Sequence, residues 1–326
     1  MFNRACIPYT CAVTQNRKSS TPKRASLSLP YPSPCREKEF MHRKNRLPSL
    51  LLSLCLISLS STAAFAQTTS TNFFSAWENR VRATLSRQPS YPIPVIAPSS
   101  QMVQLFRFDY VHEYTPARTT TDIYTNGKGL NLIPWANTEV NINLPPYIQH
   151  NNPKVIDGAG DFSIELKFRP FASPDQHHDY SLGGQVAITV PTGSNKNGAL
   201  VSIATPTLMG GKGFGPFAIQ STLGGVLPKS DASAIGRTIA WNTTAQYRVG
   251  KIFWPELEVN ANYYHGGPNN GKNQTLLSPG MMVSKINFRH TPNNRLALTF
   301  GAGFQVATST FHSYNHAFVF TSRFAF

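Results

Sequence analysis

The chain has 326 residues, with 30 basic and 15 acidic side chains and a formal net charge of +15. Such a basic excess often indicates nucleic-acid binding, but ten of the basic residues and two of the acidic ones lie in the first 66 positions. The remainder has 20 basic against 13 acidic residues, or +7, so we expect no nucleic-acid partner. All four cysteines precede residue 67 as well, which excludes a disulfide scaffold and a thiolate metal site after it.

The first 66 residues are interpreted as a leader in two parts. Residues 1–40 are rich in Ser, Pro, Lys and Arg without apolar periodicity, and we expect a disordered or non-native extension. Residues 41–66 have a basic start, a short apolar core and the ending Ala64-Phe65-Ala66, which predict a secretory signal peptide cleaved after Ala66. We expect translation to start at Met41, with Met1 as the alternative. The apolar core is too short to span a membrane as a helix.

Residues 67–100 are predicted to form a short amphipathic helix and a proline-rich linker. Apolar side chains recur at helical spacing, at Phe74, Trp77, Val81 and Leu85. The proline-rich residues 89–98 end the helix and favour a stiff, extended link. Two interpretations remain open: a helix that packs on or plugs the end of a barrel, or a loosely ordered leader with one marginal helix.

From residue 103 onward the apolar period becomes two, as expected for β-strands. The clearest example is residues 161–169, where Phe162, Ile164, Leu166 and Phe168 share one face and charged residues occupy the other. A Lys or Arg facing lipid near the midplane costs roughly 2–4 kcal/mol, so the charged face is predicted to line a polar lumen. A soluble sheet with one wet face would show the same alternation.

Repetition of this pattern predicts twelve strands, the even number typical of bacterial barrels. They are residues 103–114, 120–133, 138–144, 161–171, 180–190, 200–209, 217–227, 237–249, 252–265, 274–288, 296–308 and 314–326, of which 120–133 is poorly patterned. The connections 145–160 and 210–216 are predicted to be an outer loop and a periplasmic turn. We therefore predict an all-β fold: a transmembrane, antiparallel up-and-down β-barrel over residues 101–326.

The last strand carries an aromatic face. Phe318, Phe320, Phe324 and Phe326 share one parity, and a terminal aromatic strand resembles the closing strand of bacterial outer-membrane β-barrels. That resemblance implies that Phe324 and Phe326 form the signal read by the barrel-assembly machinery. The expected location is the bacterial outer membrane, where lipid would surround the barrel.

Several further motifs resemble one group of outer-membrane proteins. They are the segment 211–224, Gln246-Tyr-Arg-Val-Gly250, Leu257-Glu-Val-Asn260, Tyr314-Asn-His316 and the closing Arg323-Phe-Ala-Phe326. Together they look like an outer-membrane, transporter-like β-barrel family related to the phenol-degradation MetA-pathway proteins. The resemblance spans most of residues 73–326 and rests on strand and turn patterns. It implies a barrel that passes small molecules, hydrophobic or aromatic compounds among them.

The strand faces also predict which charged residues line the lumen. They are Arg107, Asp109, Glu139, Asp161, Glu165, Lys167, Arg169, Arg248, Glu256, Glu258 and Arg323. Both signs occur, whereas a strongly selective ion pore is expected to show a ring of one sign. The charges could therefore pair with one another and fill the barrel, or line a narrow or gated conduit.

No catalytic or metal site is predicted. His312 and Ser313 are adjacent, as are His177 and His178, and adjacent side chains on an extended strand point apart. The glycine-rich residues 210–215 lack the dinucleotide-binding spacing, and a turn with positive φ is expected there. The predicted function is passive passage of small molecules without cofactors. The alternatives are a structural or surface-interaction barrel with a filled lumen, or a lipid-modifying barrel enzyme.

Overall fold

The described residues, 72–175, 179–288 and 295–326 in the computed structural model, are mostly antiparallel β-sheet. The described helices are α1 (Phe73–Leu85), α2 (Ala232–Ile235) and a 3-10 turn at Gly267–Asn269. Among these residues no helix has both the length and the hydropathy needed to cross a membrane. The predicted extension, the signal peptide and the His177–His178 pair lie outside the described residues.

Fifteen strand segments form one sheet in the described residues. They are β1 (Leu105–Tyr114), β2 (Thr120–Tyr124), β3 (Gly129–Trp135), β4 (Thr138–Asn143), β5 (Tyr147–His150), β6 (Gly158–Ala159), β7 (Phe162–Ser173), β8 (Tyr180–Val190), β9 (Ile203–Phe214), β10 (Phe217–Pro228), β11 (Arg237–Tyr247), β12 (Phe253–His265), β13 (Asn273–Asn287), β14 (Ala297–Ala307) and β15 (His316–Ala325).

The sheet closes into a barrel because its last strand pairs with its first. β15 runs antiparallel to β1 from Leu105 opposite Ala325 to Tyr114 opposite His316. Three wall strands are each built from two segments: β2 with β3, β4 with β5, and β6 with β7. The wall therefore has twelve antiparallel strands, and the predicted fold class is confirmed.

The second wall strand is interrupted where the sequence is poorly patterned. Thr125, Asn126 and Gly127 have φ values of 63°, 44° and 63°, a left-handed conformation that does not continue a β-strand. The next wall strand breaks at the same height, between β4 and β5. The predicted outer loop at 145–160 was wrong in this respect, since β5 and β6 lie inside it and extend the wall.

The predicted turn at 210–216 is shorter than expected: β9 continues to Phe214, and only Gly215 and Pro216 connect it to β10. Gly215 has the positive φ expected of a turn glycine, at 65°. Gly211 and Gly213 are strand residues on the inner face. A Cβ atom on Gly211 would lie 2.5 Å from Tyr91 Oη, and one on Gly213 would lie 2.2 Å from Asp179 Oδ2. These glycines permit close approach to the lumen contents and do not form a turn.

Side chains of the wall alternate between the two faces as the pattern predicts. In β7, Leu166 and Phe168 are about half exposed on the outer face, whereas Lys167 and Arg169 are almost fully buried inside. Outward apolar side chains recur on the other long strands, including Leu182 of β8, Leu208 of β9 and Leu223 of β10. The middle of the wall thus has an apolar outer belt.

Helix α1 lies at the end of the barrel where β1 begins, hereafter the α1 end; the opposite end is the far end. Asn72 caps the helix by accepting a hydrogen bond from Phe74 N at 3.4 Å. Val81 packs with Met102 and with Ile133 of β3, so the apolar face of the helix packs against the wall. On the exposed face, the hydrogen bond and charge of Arg82 lower the pKa of the Glu78 carboxyl.

Candidate functional site in the barrel lumen

The lumen contains a non-strand segment, residues 88–102, which we call the lumenal loop. Its two ends meet: Gln88 Nε2 donates to Met102 O at 2.7 Å, and Met102 N donates to Gln88 Oε1 at 3.1 Å. The loop has four prolines, at positions 89, 92, 94 and 98, which lack a backbone N–H. It can therefore lie inside the barrel with few backbone donors to satisfy.

Two glutamates of β12 bind the backbone N–H groups at the tip of the loop. Val95 N donates to Glu256 Oε1 at 2.8 Å. Ile96 N and Ala97 N donate to the two oxygens of Glu258, at 2.8 and 2.7 Å. Both glutamates point inward because they occupy alternate positions of the same strand. Three consecutive donors of the loop are thus satisfied by wall carboxylates.

Two arginines, on β15 and β1, bind the carbonyl oxygens of the same tip. Arg323 donates from Nη1 to Ile93 O at 2.8 Å and from Nη2 to Pro94 O. Arg107 donates from Nη2 to Val95 O at 2.7 Å. The charge of Arg107 is balanced by Asp109, which also accepts from Thr321 Oγ1 at 2.6 Å. The tip is therefore held through its N–H groups by carboxylates and through its carbonyl oxygens by guanidinium groups.

The returning part of the loop is anchored by an ion pair of the wall. Lys167 Nζ lies 3.0 Å from Glu139 Oε1 and donates to Gln101 O at 3.2 Å. The other oxygen of Glu139 accepts from Val103 N at 2.5 Å. Nearer the α1 end, Arg169 Nη2 donates to Thr84 O at 2.9 Å. On this side too, charged side chains of the wall form hydrogen bonds with the backbone of the N-terminal segment.

Neutral groups of β8 and β10, and Asp179 just before β8, complete the contacts. Ser100 Oγ lies 2.6 Å from Ser181 Oγ, and Tyr91 Oη lies 3.1 Å from the same hydroxyl. Gln220 accepts from Ser99 Oγ at 2.6 Å and donates to the carbonyl of Pro92 at 2.8 Å. The Asp179 carboxylate accepts from Ser90 N at 3.0 Å. Four strands of the wall, β7, β8, β10 and β12, therefore bind the loop besides β1 and β15.

Apolar contacts also fix the loop. Tyr91, Val95 and Ile96 are buried in one cluster with Trp254 and Met282 of the wall. On the far side of the loop the same cluster continues with the inward-facing residues Val111, Ile123, Leu276, Tyr314 and Val319. The inner face is therefore mixed: polar around the loop and partly apolar beyond it. The alternation of apolar and polar faces did not predict this inner apolar set.

The structure places the eleven predicted lumen-lining residues in three environments. Nine lie on the inner face: Arg107, Asp109, Glu139, Glu165, Lys167, Arg169, Glu256, Glu258 and Arg323. Asp161 instead accepts from Gly193 N and Ala199 N, in the connection that follows β8 at the far end. Arg248 is exposed in the turn after β11, with its guanidinium 5.8 Å from the Trp254 ring centroid.

Several residues of the site were missed by the sequence reasoning. Ser181 and Gln220 occupy inward positions, but a neutral polar residue in a lumen is not distinctive. Tyr91 lies in the segment that was predicted to be only a link. Lys128 follows the interruption of the second wall strand, where the two-residue period gives no guidance. The alternating pattern locates charges on regular strands and cannot reveal what fills the space between them.

The remaining motifs form no reactive arrangement in the described residues. His312 Nε2 contacts Asn315 Oδ1 at 2.9 Å, and Ser313 Oγ donates to Gln274 Oε1 at 3.3 Å, so the two side chains have different partners. Within the described ranges no group of three or more His, Cys, Asp or Glu side chains is placed to hold a metal ion. At the closing strand, Phe324 faces outward, and Phe326 N donates to Gln104 O at 3.4 Å.

Comparison with known proteins adds little beyond the fold. No protein-family model matches the chain, and no curated protein matches it. An outer-membrane channel from Pseudomonas putida F1 is similar over 73% of this chain and 97% of its own, with 12% identity and a TM-score of 0.49. A bacterial polysaccharide outer-membrane secretin covers 69% of this chain and 98% of its own, with 11% identity and a TM-score of 0.30. At these values neither likeness carries an argument about function.

The fold and site define a class: a closed, twelve-stranded antiparallel β-barrel whose lumen is occupied by the chain's own N-terminal loop. The relation to MetA-pathway proteins stays a prediction.

Proposed function

We propose that the chain is an outer-membrane β-barrel that passes small solutes when the lumenal loop moves aside. The apolar outer belt, with Leu166, Leu182 and Leu208 about half exposed or more, supports a lipid environment. Large contiguous apolar surfaces are rare on soluble monomers, and closed barrels are the β-structures that satisfy all their backbone groups in lipid. In this proposal the α1 end faces the periplasm.

The observation that carries the proposal is the way in which the lumen is filled. An eight-stranded barrel is filled by its own side chains, whereas sixteen strands leave an aqueous channel. Twelve strands leave space between these limits, and here a separate segment occupies it. The loop is held by side-chain contacts, such as Glu258 to Ile96 N and Arg323 to Ile93 O, and it forms no β-ladder with the wall. Water can replace such contacts one at a time.

The second candidate is a structural or surface-interaction barrel with a permanently filled lumen. It is favoured by the buried charges, since Arg107 pairs with Asp109, Lys167 pairs with Glu139, and Arg323 binds carbonyl oxygens of the loop. Removing one partner of a buried pair is strongly destabilising. In a structural barrel of this kind the loop would be part of the core, and removal of the loop would impair folding.

Excision of the loop separates the two candidates. Because Gln88 and Met102 are in contact, residues 89–101 can be replaced by two or three glycines without displacing α1. The purified variant and the full chain would be compared in planar bilayers. A matched control replaces residues 230–235, a connection outside the lumen, by the same linker.

We expect the excised barrel to fold and to conduct ions in discrete steps much larger than any steps of the full chain, with the control resembling the full chain. Folding is checked by heat-dependent migration on denaturing gels. A folded barrel without conductance after excision would overturn the channel proposal. An excised barrel that cannot fold, while the control folds, would favour the filled structural barrel.

The cargo, partners and lack of catalysis are finer parts of this proposal. Polar groups surround the loop, including Gln220, Ser181 and Asn141, which suits small polar solutes. Hydrophobic or aromatic cargo, as the family resemblance implies, stays a prediction and would use the apolar set beyond the loop. We propose a non-enzymatic protein that is inserted by the barrel-assembly machinery through the Phe324–Phe326 signal. A growth assay of a deletion strain on single carbon sources tests the cargo.

A further inference from the structure

The outer face of the wall has an open groove that extends from β7 to β10, hereafter the outer groove. Two outward positions in it, Gly184 of β8 and Gly225 of β10, carry no side chain. Gly184 faces outward because the alternate residues of its strand, Leu182 and Val186, are about half exposed, and Leu223 shows the same for Gly225. The groove has a volume of about 730 Å³, within the range of about 300–1,000 Å³ typical of ligand pockets.

The lining of the outer groove is apolar. Its walls include Phe168 of β7, Leu182 and Val186 of β8, Leu208 of β9 and Leu223 of β10. Gln185 and Thr207 also border it, but both are buried and alternate with these outward residues, so their side chains point into the lumen. The groove therefore fits a hydrocarbon chain. Since bulk lipid is as apolar as the groove, a specific occupant needs a polar contact as well.

That polar contact is available at the end of the groove nearer the α1 end. Lys212 lies on the outer face of β9, opposite Tyr180 of β8 in the sheet register. Its Nζ is 5.9 Å from the ring centroid of Tyr180 and 5.9 Å from that of Phe214. Aromatic rings at strand ends are typical of a membrane interface, and a lysine beside them can extend its ammonium to the headgroups.

The spacing between Lys212 and the groove matches the dimensions of a lipid. Lys212 is four residues from Leu208, or roughly 13 Å along the strand. The outward residue between them is Gly210, so no side chain of β9 separates the ammonium from the groove. One leaflet contributes about 15 Å to the hydrocarbon core. A headgroup at Lys212 therefore places its acyl chain along the groove.

Charge complementarity indicates the class of headgroup. An ammonium has three donors, so Lys212 can bind a phosphate oxygen while it keeps its other contacts. Hydrogen bonds between an ammonium and a phosphate are of the stronger, charge-assisted kind. A lipid with a net negative charge is favoured over a zwitterionic one, whose own cation competes for the phosphate.

We propose that the outer groove binds one anionic phospholipid of the periplasmic leaflet, with its phosphate on Lys212 Nζ and an acyl chain between Phe168 and Leu223. The inference rests on the membrane location within the proposed function and adds a lipid partner to it. It does not depend on passage of solutes through the lumen.

Native mass spectrometry of the full chain released from detergent counts the bound lipid molecules. The probes are dioleoyl phosphatidylglycerol and dioleoyl phosphatidylcholine, which share their acyl chains and differ in net charge. We expect one bound phosphatidylglycerol, and about threefold or greater weakening in Lys212→Gln, the scale of a partly exposed charge pair. Lys251→Gln changes an exposed lysine in the turn after β11, also at the α1 end, and should leave binding unchanged.

A second variant tests the groove itself. A Cβ on Gly225 would lie 3.7 Å from Leu227 Cδ2, an ordinary contact, so Gly225→Leu fills the groove without disturbing the wall. It should weaken phosphatidylglycerol binding although Lys212 is retained. The matched control is Ala302→Leu, on the outer face of β14 opposite Met281, where binding should not change.

Three results would overturn the proposal. They are equal binding of the two lipids by the unmodified barrel, unchanged phosphatidylglycerol binding in folded Lys212→Gln, and unchanged binding in folded Gly225→Leu. Folding is checked by heat-dependent migration on gels.

The outcome is separable from that of the proposed function. If phosphatidylglycerol binds through Lys212 but the loop-excised barrel does not conduct, the lipid site stands and the channel fails. If the excised barrel conducts but the two lipids bind equally, the channel stands and the lipid site fails.

Discussion

Arg323, on the strand that closes the barrel, donates from Nη1 to the carbonyl oxygen of Ile93 at 2.8 Å, across 230 positions of sequence. The contact joins the last strand of the wall to the tip of the lumenal loop. Its acidic counterpart is Glu258 of β12, which accepts from Ile96 N and Ala97 N. The closure of the barrel and the position of the loop therefore depend on one another.

Glu258→Gln should loosen the tip of the loop. The amide keeps the shape of the side chain but has one acceptor oxygen, so one of the two backbone donors loses its partner. A hydrogen bond to a charged group contributes about 1.5–3 kcal/mol, so we expect roughly a 10- to 150-fold larger open population of the loop. Hydrogen exchange of peptides that cover residues 93–101 measures this directly.

The matched control for this change is Asp231→Asn, which neutralises an exposed carboxylate in the connection after β10. Its φ of 53° suits Asn as well as Asp. The control should leave exchange of residues 93–101 unchanged. Equal exchange in Glu258→Gln and the unmodified chain would show that the carboxylate does not hold the loop.

Gly211→Ala and Gly210→Ala form a pair that tests the packing of the loop against β9. An added Cβ at Gly211 would lie 2.5 Å from Tyr91 Oη, whereas at Gly210 the nearest atom is Leu182 Cδ1 at 3.5 Å. Overpacking costs typically about 1–3 kcal/mol. We expect Gly211→Ala to raise exchange of the loop and to lower the unfolding temperature, while Gly210→Ala does neither. Similar effects at both positions would contradict the inward placement of Tyr91.

The wall was predictable from sequence because each regular strand carries its own evidence. In β7 the alternation of Leu166 and Phe168 with Lys167 and Arg169 fixes which face is buried, and the same argument applies to β12 and β15. Nine of the eleven predicted residues lie on the inner face for this reason. The two that do not, Asp161 and Arg248, lie at or beyond strand ends, where parity no longer determines direction.

The lumen contents were not predictable in the same way. The proline-rich residues 89–98 were interpreted as a link because their backbone cannot form the regular hydrogen bonds of a helix or strand. The hydrogen-bond partners of this backbone are wall residues that are distant in sequence. Gly211 and Gly213 looked like a turn because glycine permits both a positive φ and close approach. Only the contacts of Gly211 with Tyr91 and of Gly213 with Asp179 show that these glycines permit close approach rather than a turn.

Leu166→Arg tests whether the outer belt faces lipid. The residue lies near the middle of β7 and is about half exposed on the outer face. In a membrane, arginine near the midplane costs roughly 2–4 kcal/mol and about 0–1 kcal/mol near an interface. Urea unfolding in lipid vesicles should therefore show a large loss for Leu166→Arg and a small one for Phe214→Arg at the end of β9. On a soluble surface both changes would stay within about 0.5 kcal/mol.

The most direct test of the gated barrel is a disulfide between the loop and the wall. Ser100 Oγ and Ser181 Oγ are 2.6 Å apart, and residues 67–326 contain no other cysteine that could compete with a Ser100→Cys, Ser181→Cys pair. We expect the oxidised barrel to remain at baseline conductance in a planar bilayer. Addition of dithiothreitol to the same bilayer should then produce discrete conductance steps, because the loop can leave the lumen. Identical conductance before and after reduction, in a protein whose disulfide was shown to form, would contradict the account.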